Sequence, residues 1–285
     1  MATRKNSWAA FPHDHKAYDY TGDKLKKAWP GLHTSDGEPF PDEKRAAALI
    51  RAAGRQAPKG VDAATLATAL QEAWRLFHRG DFQAAFEAGE KLGVIGASVA
   101  VKALGIHATY LVSDPAEKLS RFERAAVIAD AARSALPDEA NSHYRHAFAL
   151  GRYSQQINIA KALKLGLAGK VRDSLDTTLE LEPRHAEAHT ALALYHGEII
   201  GKIGALIGGM TYGAKASEAE KHIQSALKIT PDSPIAHVEH GNLLLLLHGD
   251  RKEDLAAAAY EKASKLKPRD AMERLDAEFA REQIE

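Results

Sequence analysis

Histidines recur in pairs along this chain. His143 and His146 stand three residues apart, His185 and His189 stand four apart with His196 beyond them, and His237 and His240 stand three apart. Residues at such spacings share a helix face. Two imidazoles on one face can ligate zinc, and Glu187, Glu198 and Glu239 lie close by as further donors. Against this, no H-E-x-x-H occurs and no metal-site consensus joins the pairs. The same side chains suit half-buried helix contacts in which one ring nitrogen bonds a backbone carbonyl. That packing role is the expectation, with no metal and no other cofactor.

A second feature is a basic stretch. From Ala140 to Arg172 the chain carries Arg145, Arg152, Lys161, Lys164, Lys170 and Arg172 and no acid. Guanidinium forks hold carboxylates in a bidentate fashion, so an acidic peptide or a terminal carboxylate is the matching ligand. Arg145 and Arg152 are seven residues apart, which places them on one side of a helix with Phe148 between them. The alternative is a solvated face balanced by Asp173, Asp176, Glu180 and Glu182.

The third feature is a glycine-rich apolar insert with Gly197, Gly201, Gly204, Gly208, Gly209 and Gly213. Gly201-Lys202 is not a phosphate loop: the Walker spacing from Gly197 is one residue short, Ile203 stands where Ser or Thr is needed, and the context is helical. Gly204 and Gly208 have small-xxx-small spacing, which lets helices approach closely. Ile203, Ile207 and Met210 beside them are strongly apolar. The insert either packs against a similar one at 159–169 or offers a slot for an apolar ligand, a lipid or a membrane surface. No nucleophile elbow, G-x-G-x-x-G, kinase set or paired-carboxylate site is present, so an enzyme is not expected.

The elements that carry these residues follow from punctuation. Proline returns after the same kind of amphipathic stretch at Pro137, Pro183, Pro231 and Pro268, spaced by 46, 48 and 37 residues. A recurring unit of helix, turn, helix and Pro-turn predicts an α-solenoid. No alternating β pattern occurs. Asp42 and Asp62 are placed to cap helices, the second running through Leu66, Leu70, Trp74 and Phe77 to Gly80. In residues 1–41 only 16–28 could form a short helix, because Pro12, Pro30, Pro39 and Pro41 interrupt the rest. Its six aromatics, Trp8, Phe11, Tyr18, Tyr20, Trp29 and Phe40, are too many for a solvated tail. The arm is expected to wrap its own chain, or else to dock on a partner. The domains read as an arm with a short capping helix at 1–61, a repeat array at 62–270 and a C-terminal capping helix at 271–285.

Composition agrees with this. With 38 basic and 38 acidic residues the formal charge is zero, which argues against a nucleic-acid binder. There is no cysteine, so disulfides and thiolate chemistry are excluded. No signal peptide is expected after Met1, and the longest apolar run, 199–213, is interrupted by Lys202 and too short to span a bilayer. A cytoplasmic location is the expectation.

The last unit reads His237-Val-Glu-His240-Gly241, then Gly249-Asp250, Ala256, Tyr260, Ala263 and Pro268. This pattern resembles the tetratricopeptide repeat (TPR). Units with Leu104-Gly105 and Ala125, Leu150-Gly151 and Val171, and Leu192-Ala193 and Ala219 follow the same order. Spacings of 20, 20 and 26 residues replace the usual 12, so the hairpins are lengthened or carry inserts. In that respect the chain is similar to regulator-of-microtubule-dynamics-like proteins and to TPR components of TRAP-type transporters. The resemblance implies a right-handed solenoid of about four to five hairpins, acting as a scaffold that binds a partner segment in a concave groove. By repeat position Arg145, Phe148, Arg152, Gln155 and Gln156 would line it, with Glu187, Thr190, Leu194, Val238 and Asn242 from later repeats. The partner would be a protein or peptide, acidic in character. The family's carboxylate clamp for chaperone tails is not matched here.

Overall fold

The computed structural model describes residues 8–285. Among these the chain is all-helical, without a strand. A 3-10 turn at His15–Tyr18 precedes α1 (Asp23–Leu32), α2 (Glu43–Ala53), α3 (Ala63–Arg79), α4 (Phe82–Lys91) and α5 (Gly93–Tyr110). There follow α6 (Pro115–Ala135), α7 (Ala140–Gln155), α8 (Ile159–Lys164), α9 (Leu167–Leu181) and α10 (Ala186–Ile203). The chain ends with α11 (Ala205–Tyr212), α12 (Ala216–Ile229), α13 (Pro234–His248), α14 (Glu253–Lys265) and α15 (Ala271–Glu282). It forms two compact units. One holds the chain up to Ala28 and Pro39–Ile159; the other holds Trp29–Glu38 and Ala160–Glu285.

In the first unit the carboxylates of Asp42 and Asp62 accept from Arg45 N and Thr65 N at 2.8 and 2.7 Å, as their positions before apolar-periodic stretches predict. Gly80, at φ +92°, closes α3 in the left-handed conformation that a side chain would strain. From α3 to α7 each helix packs on the next, and α3 and α7 both also touch α5. That is why α5 is apolar nearly all round and has buried residues on every side. The crossing of α4 on α5 is tight: a Cβ added to Gly96 would lie 2.1 Å from the Gly89 carbonyl oxygen. Leu49, Leu66, Leu70, Ile95 and Leu136 build one core cluster under α2 and α3.

The arm lies on these helices. Trp8 stacks on Phe86 with ring centroids 5.5 Å apart and tilts against His107 at 4.5 Å, and the Arg121 guanidinium covers its ring at 4.3 Å. Phe11 sits over Gly80, 2.7 Å from where a Cβ would project. Tyr20 meets His78 edge-on, and Arg75 bonds Asp19 at 2.9 Å. The aromatics of the arm are thus used within the chain, as expected of the wrapping arrangement. Its helix is displaced from the expected 16–28: Gly22, at φ +58°, interrupts the chain, and α1 runs through Pro30 in its last turn.

In the second unit α9 packs on α10, α10 on α12, and α12 to α15 each on the next, with α13 touching both α10 and α15. Ala193, Ala219, Ile223 and Leu243 form one core cluster, and Val238, Ala256, Tyr260, Ala263 and Ala280 another. Asp270 caps α15 by accepting from Glu273 N at 2.8 Å. The 29–38 segment is fixed here too. Trp29 is buried and donates to the Glu38 carbonyl at 2.6 Å, Glu187 N donates to Ser35 O at 3.0 Å, and Arg269 donates to Gly31 O at 2.8 Å.

Three of the four proline turns have the same geometry. Leu136, Glu182 and Thr230, each just before its proline, leave the helical region with φ near −130° to −137°. Their N–H groups donate to Ala132 O, Thr178 O and Ala226 O, each at 2.8 Å. A residue before proline is driven out of the α region by the ring's Cδ, so the helix ends at the same point each time. The turn at Pro268 departs from the pattern: Leu266 N closes α14 onto Ala263 O at 3.3 Å.

Candidate interaction surfaces

The paired histidines have a recurring structural use. Six residues after each of the three alike prolines stands a histidine whose Nε2 donates to that proline's carbonyl: His143 to Pro137 at 2.7 Å, His189 to Pro183 at 3.1 Å and His237 to Pro231 at 2.8 Å. An imidazole on the first turn of the following helix thereby ties the turn to the helix it introduces. His185 serves differently, its Nδ1 accepting from Ala188 N at 3.0 Å as the N-cap of α10. Among the described residues no group of three or more His, Cys, Asp or Glu is arranged to hold a metal ion.

One histidine cluster joins α10 to α12. His189 and His222 share a hydrogen between their Nδ1 atoms, 2.8 Å apart. Since His189 Nε2 donates to Pro183, its Nδ1 is the acceptor and His222 supplies the proton. His196 accepts from Lys215 N at 3.3 Å and stacks on His222 at 6.2 Å. Burial, with His189 and His196 alongside, pushes His222 down to about 4. Burial lowers His189 and His196 as well. The three rings are therefore neutral packing groups near neutral pH. His222 is missing from the sequence reading because its partner lies 33 residues away across an antiparallel pair, and local spacing carries no sign of it.

The five residues singled out on α7 and just beyond it separate into two kinds. Arg145 is only 2% exposed; its Nε lies 3.3 Å from Ser98 Oγ and its guanidinium 5.2 Å from the Tyr144 ring. It is a core residue of the first unit and presents no surface. Phe148 is half-buried over Gly105, where any Cβ would come within 2.2 Å of its ring. Arg152 is partly exposed, lies 6.0 Å over the Phe148 ring and donates to Gln155 Oε1 at 3.3 Å. Gln155 and Gln156 are exposed. What remains at the surface is the C-terminal end of α7: an aromatic edge, one guanidinium and two amides.

The five residues named in the second unit are also divided. Val238 is in the core and Thr190 is buried, its hydroxyl donating to Ala186 O at 3.1 Å. Asn242 is held between Glu239 and the Tyr260 hydroxyl, both at 2.7 Å. Leu194 and Glu187 are half-buried.

The glycine-rich insert folds as a helix of its own, α11, broken from α10 at Gly204 with φ +82°. Its principal helix contact is with α10. Gly208 is the seat of that contact: a Cβ there would meet Ile199 at 2.9 Å. Tyr195 donates to the Tyr212 carbonyl at 3.3 Å and holds the far end. Gly204 itself stands in open space, so the pair does not act as one close-packing stripe. Ile203 is half-buried, whereas Leu206, Ile207 and Met210 are 77%, 58% and 83% exposed. The helix therefore turns its glycines inward and its large apolar side chains outward. No helix among the described residues is long and apolar enough to cross a membrane. No protein-family model matches the chain, and no curated protein matches it.

Proposed function

We propose that this chain is a TPR-type helical-repeat protein, a right-handed solenoid of lengthened hairpins that serves in the cytoplasm as a non-catalytic scaffold for a protein partner. The observation that carries the reading is the thrice-repeated turn, with the same backbone exit before proline and the same histidine bond back to it. A chain that repeats one supersecondary unit uses its surface for binding other molecules. The contact on the first unit is the exposed end of α7, with Phe148, Arg152, Gln155 and Gln156. It lies in a stretch without acids and fits a segment that combines an acidic group with an apolar anchor. Arg152 supplies the charge, because Arg145 is inside.

The test is photo-crosslinking from Gln155 and Gln156 in the full chain, followed by mass spectrometry of the cross-linked peptides. Acidic peptides from a consistent partner are expected, and they should be lost in Arg152→Glu, where like charges meet. A folded R152E protein that keeps the same cross-links refutes the reading. A second reading, a carrier of an apolar ligand or lipid, is favoured by the outward face of α11.

A further inference from the structure

Chain topology brings a second apolar, lysine-bearing element to the same end of a helical hairpin as α11. The α9–α10 hairpin turns at Pro183, so the start of α9, which α8 precedes, and the end of α10, which α11 follows, share the end away from that turn. Arg172 lies 5.8 Å over the Tyr195 ring, and Tyr195 reaches Tyr212, which fixes this antiparallel pairing. Around α8, Leu163 and Leu165 are 50% and 39% exposed, between Lys161, Lys164 and Lys170. Around α11, Leu206, Ile207 and Met210 are exposed between Lys202, which pairs with Glu198 at 3.0 Å, and Lys215.

The charge pattern selects the occupant. Residues 160–172 contain three lysines and an arginine and no acid; residues 199–217 contain two lysines and no acid. Acid-free stretches with cations also occur at 91–113 and 140–158, but there Lys102 and Arg145 are buried. Leu206, Ile207 and Met210, at i, i+1 and i+4, form a continuous face on a helix without charges of its own. An outward apolar face flanked by lysines on acid-free segments is the arrangement that lies in a bilayer interface, with hydrocarbon entering below the headgroups and ammonium groups among the phosphates. We propose that α8 and α11 together dock this protein peripherally on an anionic phospholipid surface. The contact is independent of the α7 surface: it uses other residues and needs no protein partner.

Vesicle flotation of the full chain tests it, with phosphatidylcholine alone and with phosphatidylcholine containing phosphatidylserine. The protein should float with the anionic vesicles and not with the neutral ones, and high salt should weaken the association. The exposed triple variant Leu206→Ser, Ile207→Ser, Met210→Ser should keep its helical circular dichroism and lose binding by at least about ten-fold. Lys164→Glu with Lys170→Glu should lose a similar factor at low salt and serves as the second variant should the first misfold. Failure of the unmodified chain to float on anionic vesicles overturns the proposal. So does equal flotation of both variants. A dimer in sedimentation equilibrium that the serine variant dissociates, without flotation, assigns the face to a second copy and overturns it as well.

Discussion

Reversing Arg145 and reversing Arg152 should give opposite outcomes, although the two residues lie seven apart on one helix. Arg145 is 2% exposed, with Ser98 Oγ at 3.3 Å and the Tyr144 ring at 5.2 Å. A glutamate there puts a carboxylate among groups that face a guanidinium, and it removes the packed alkyl stem as well. Breaking a buried charge arrangement costs about 3–5 kcal/mol. Whole domains are stable by only about 5–15 kcal/mol. With a urea dependence of about 1–3 kcal/mol per molar, the midpoint should fall by more than roughly 1 M. Arg152 is partly exposed, bonded to Gln155 and laid on Phe148. Its reversal should cost less than about 1 kcal/mol. Urea titrations of the two single variants, followed by far-UV circular dichroism, make the comparison. Equal midpoints would show that Arg145 is not the buried member of the pair, and the packing described for α5 and α7 would be in error.

Two further outcomes follow from the first unit. His107 is 1% exposed, accepts from Arg121 at 2.6 Å, bonds the Ala9 carbonyl at 3.0 Å, and is pushed down to about 4 chiefly by burial. Its unfolded form binds a proton more readily, so its contribution is complete above pH 6.5 and is lost between 6.5 and about 4, to the extent of roughly 3 kcal/mol; acid melts should be shallower in Trp8→Ala, which uncovers the ring, and an unchanged pH profile would count against the arm's role. Gly96→Ala should destabilise by about 1–3 kcal/mol despite alanine's helix preference of about 1 kcal/mol, because the new methyl meets the Gly89 carbonyl; a raised urea midpoint would rule out the close crossing.

Much of the architecture is legible in the sequence because the signals are local. Proline before a His- and Ala-rich stretch fixes where helices end, aspartates fix where they begin, and 3.6-residue periodicity fixes the buried face of α3. The histidines' carbonyl bonds also follow from type and spacing. What is not legible depends on distant partners. The inward turn of Arg145 is set by Ser98 on α5, and the pairing of His222 is set by α10. A repeat template assigns Arg145 to the concave groove by position, but its side chain is buried with Ser98 of α5 beside it. The insert shows the same limit. Its glycine spacing reveals that something packs closely, yet only the fold shows that Gly208 is the contact and Gly204 the hinge.

The recurring turn and the inserts answer to different physical demands. In the turn the backbone groups are bonded: the residue before proline closes one helix, the proline carbonyl accepts from histidine, and small residues that follow are buried. Such a unit stabilises the chain that contains it. In α11 the assignment is reversed, since glycines occupy the protected side while leucine, isoleucine and methionine meet water. Burying such a side chain is worth about 1.5–3 kcal/mol, and within its own unit α11 leaves that stabilisation unrealised. Two core clusters of the second unit draw on α10, α12, α13, α14 and α15. That outward apolar side, with lysines on either flank, is what the proposed contact with an anionic surface would use, and its burial there would supply the stabilisation that α11 does not draw from its own unit.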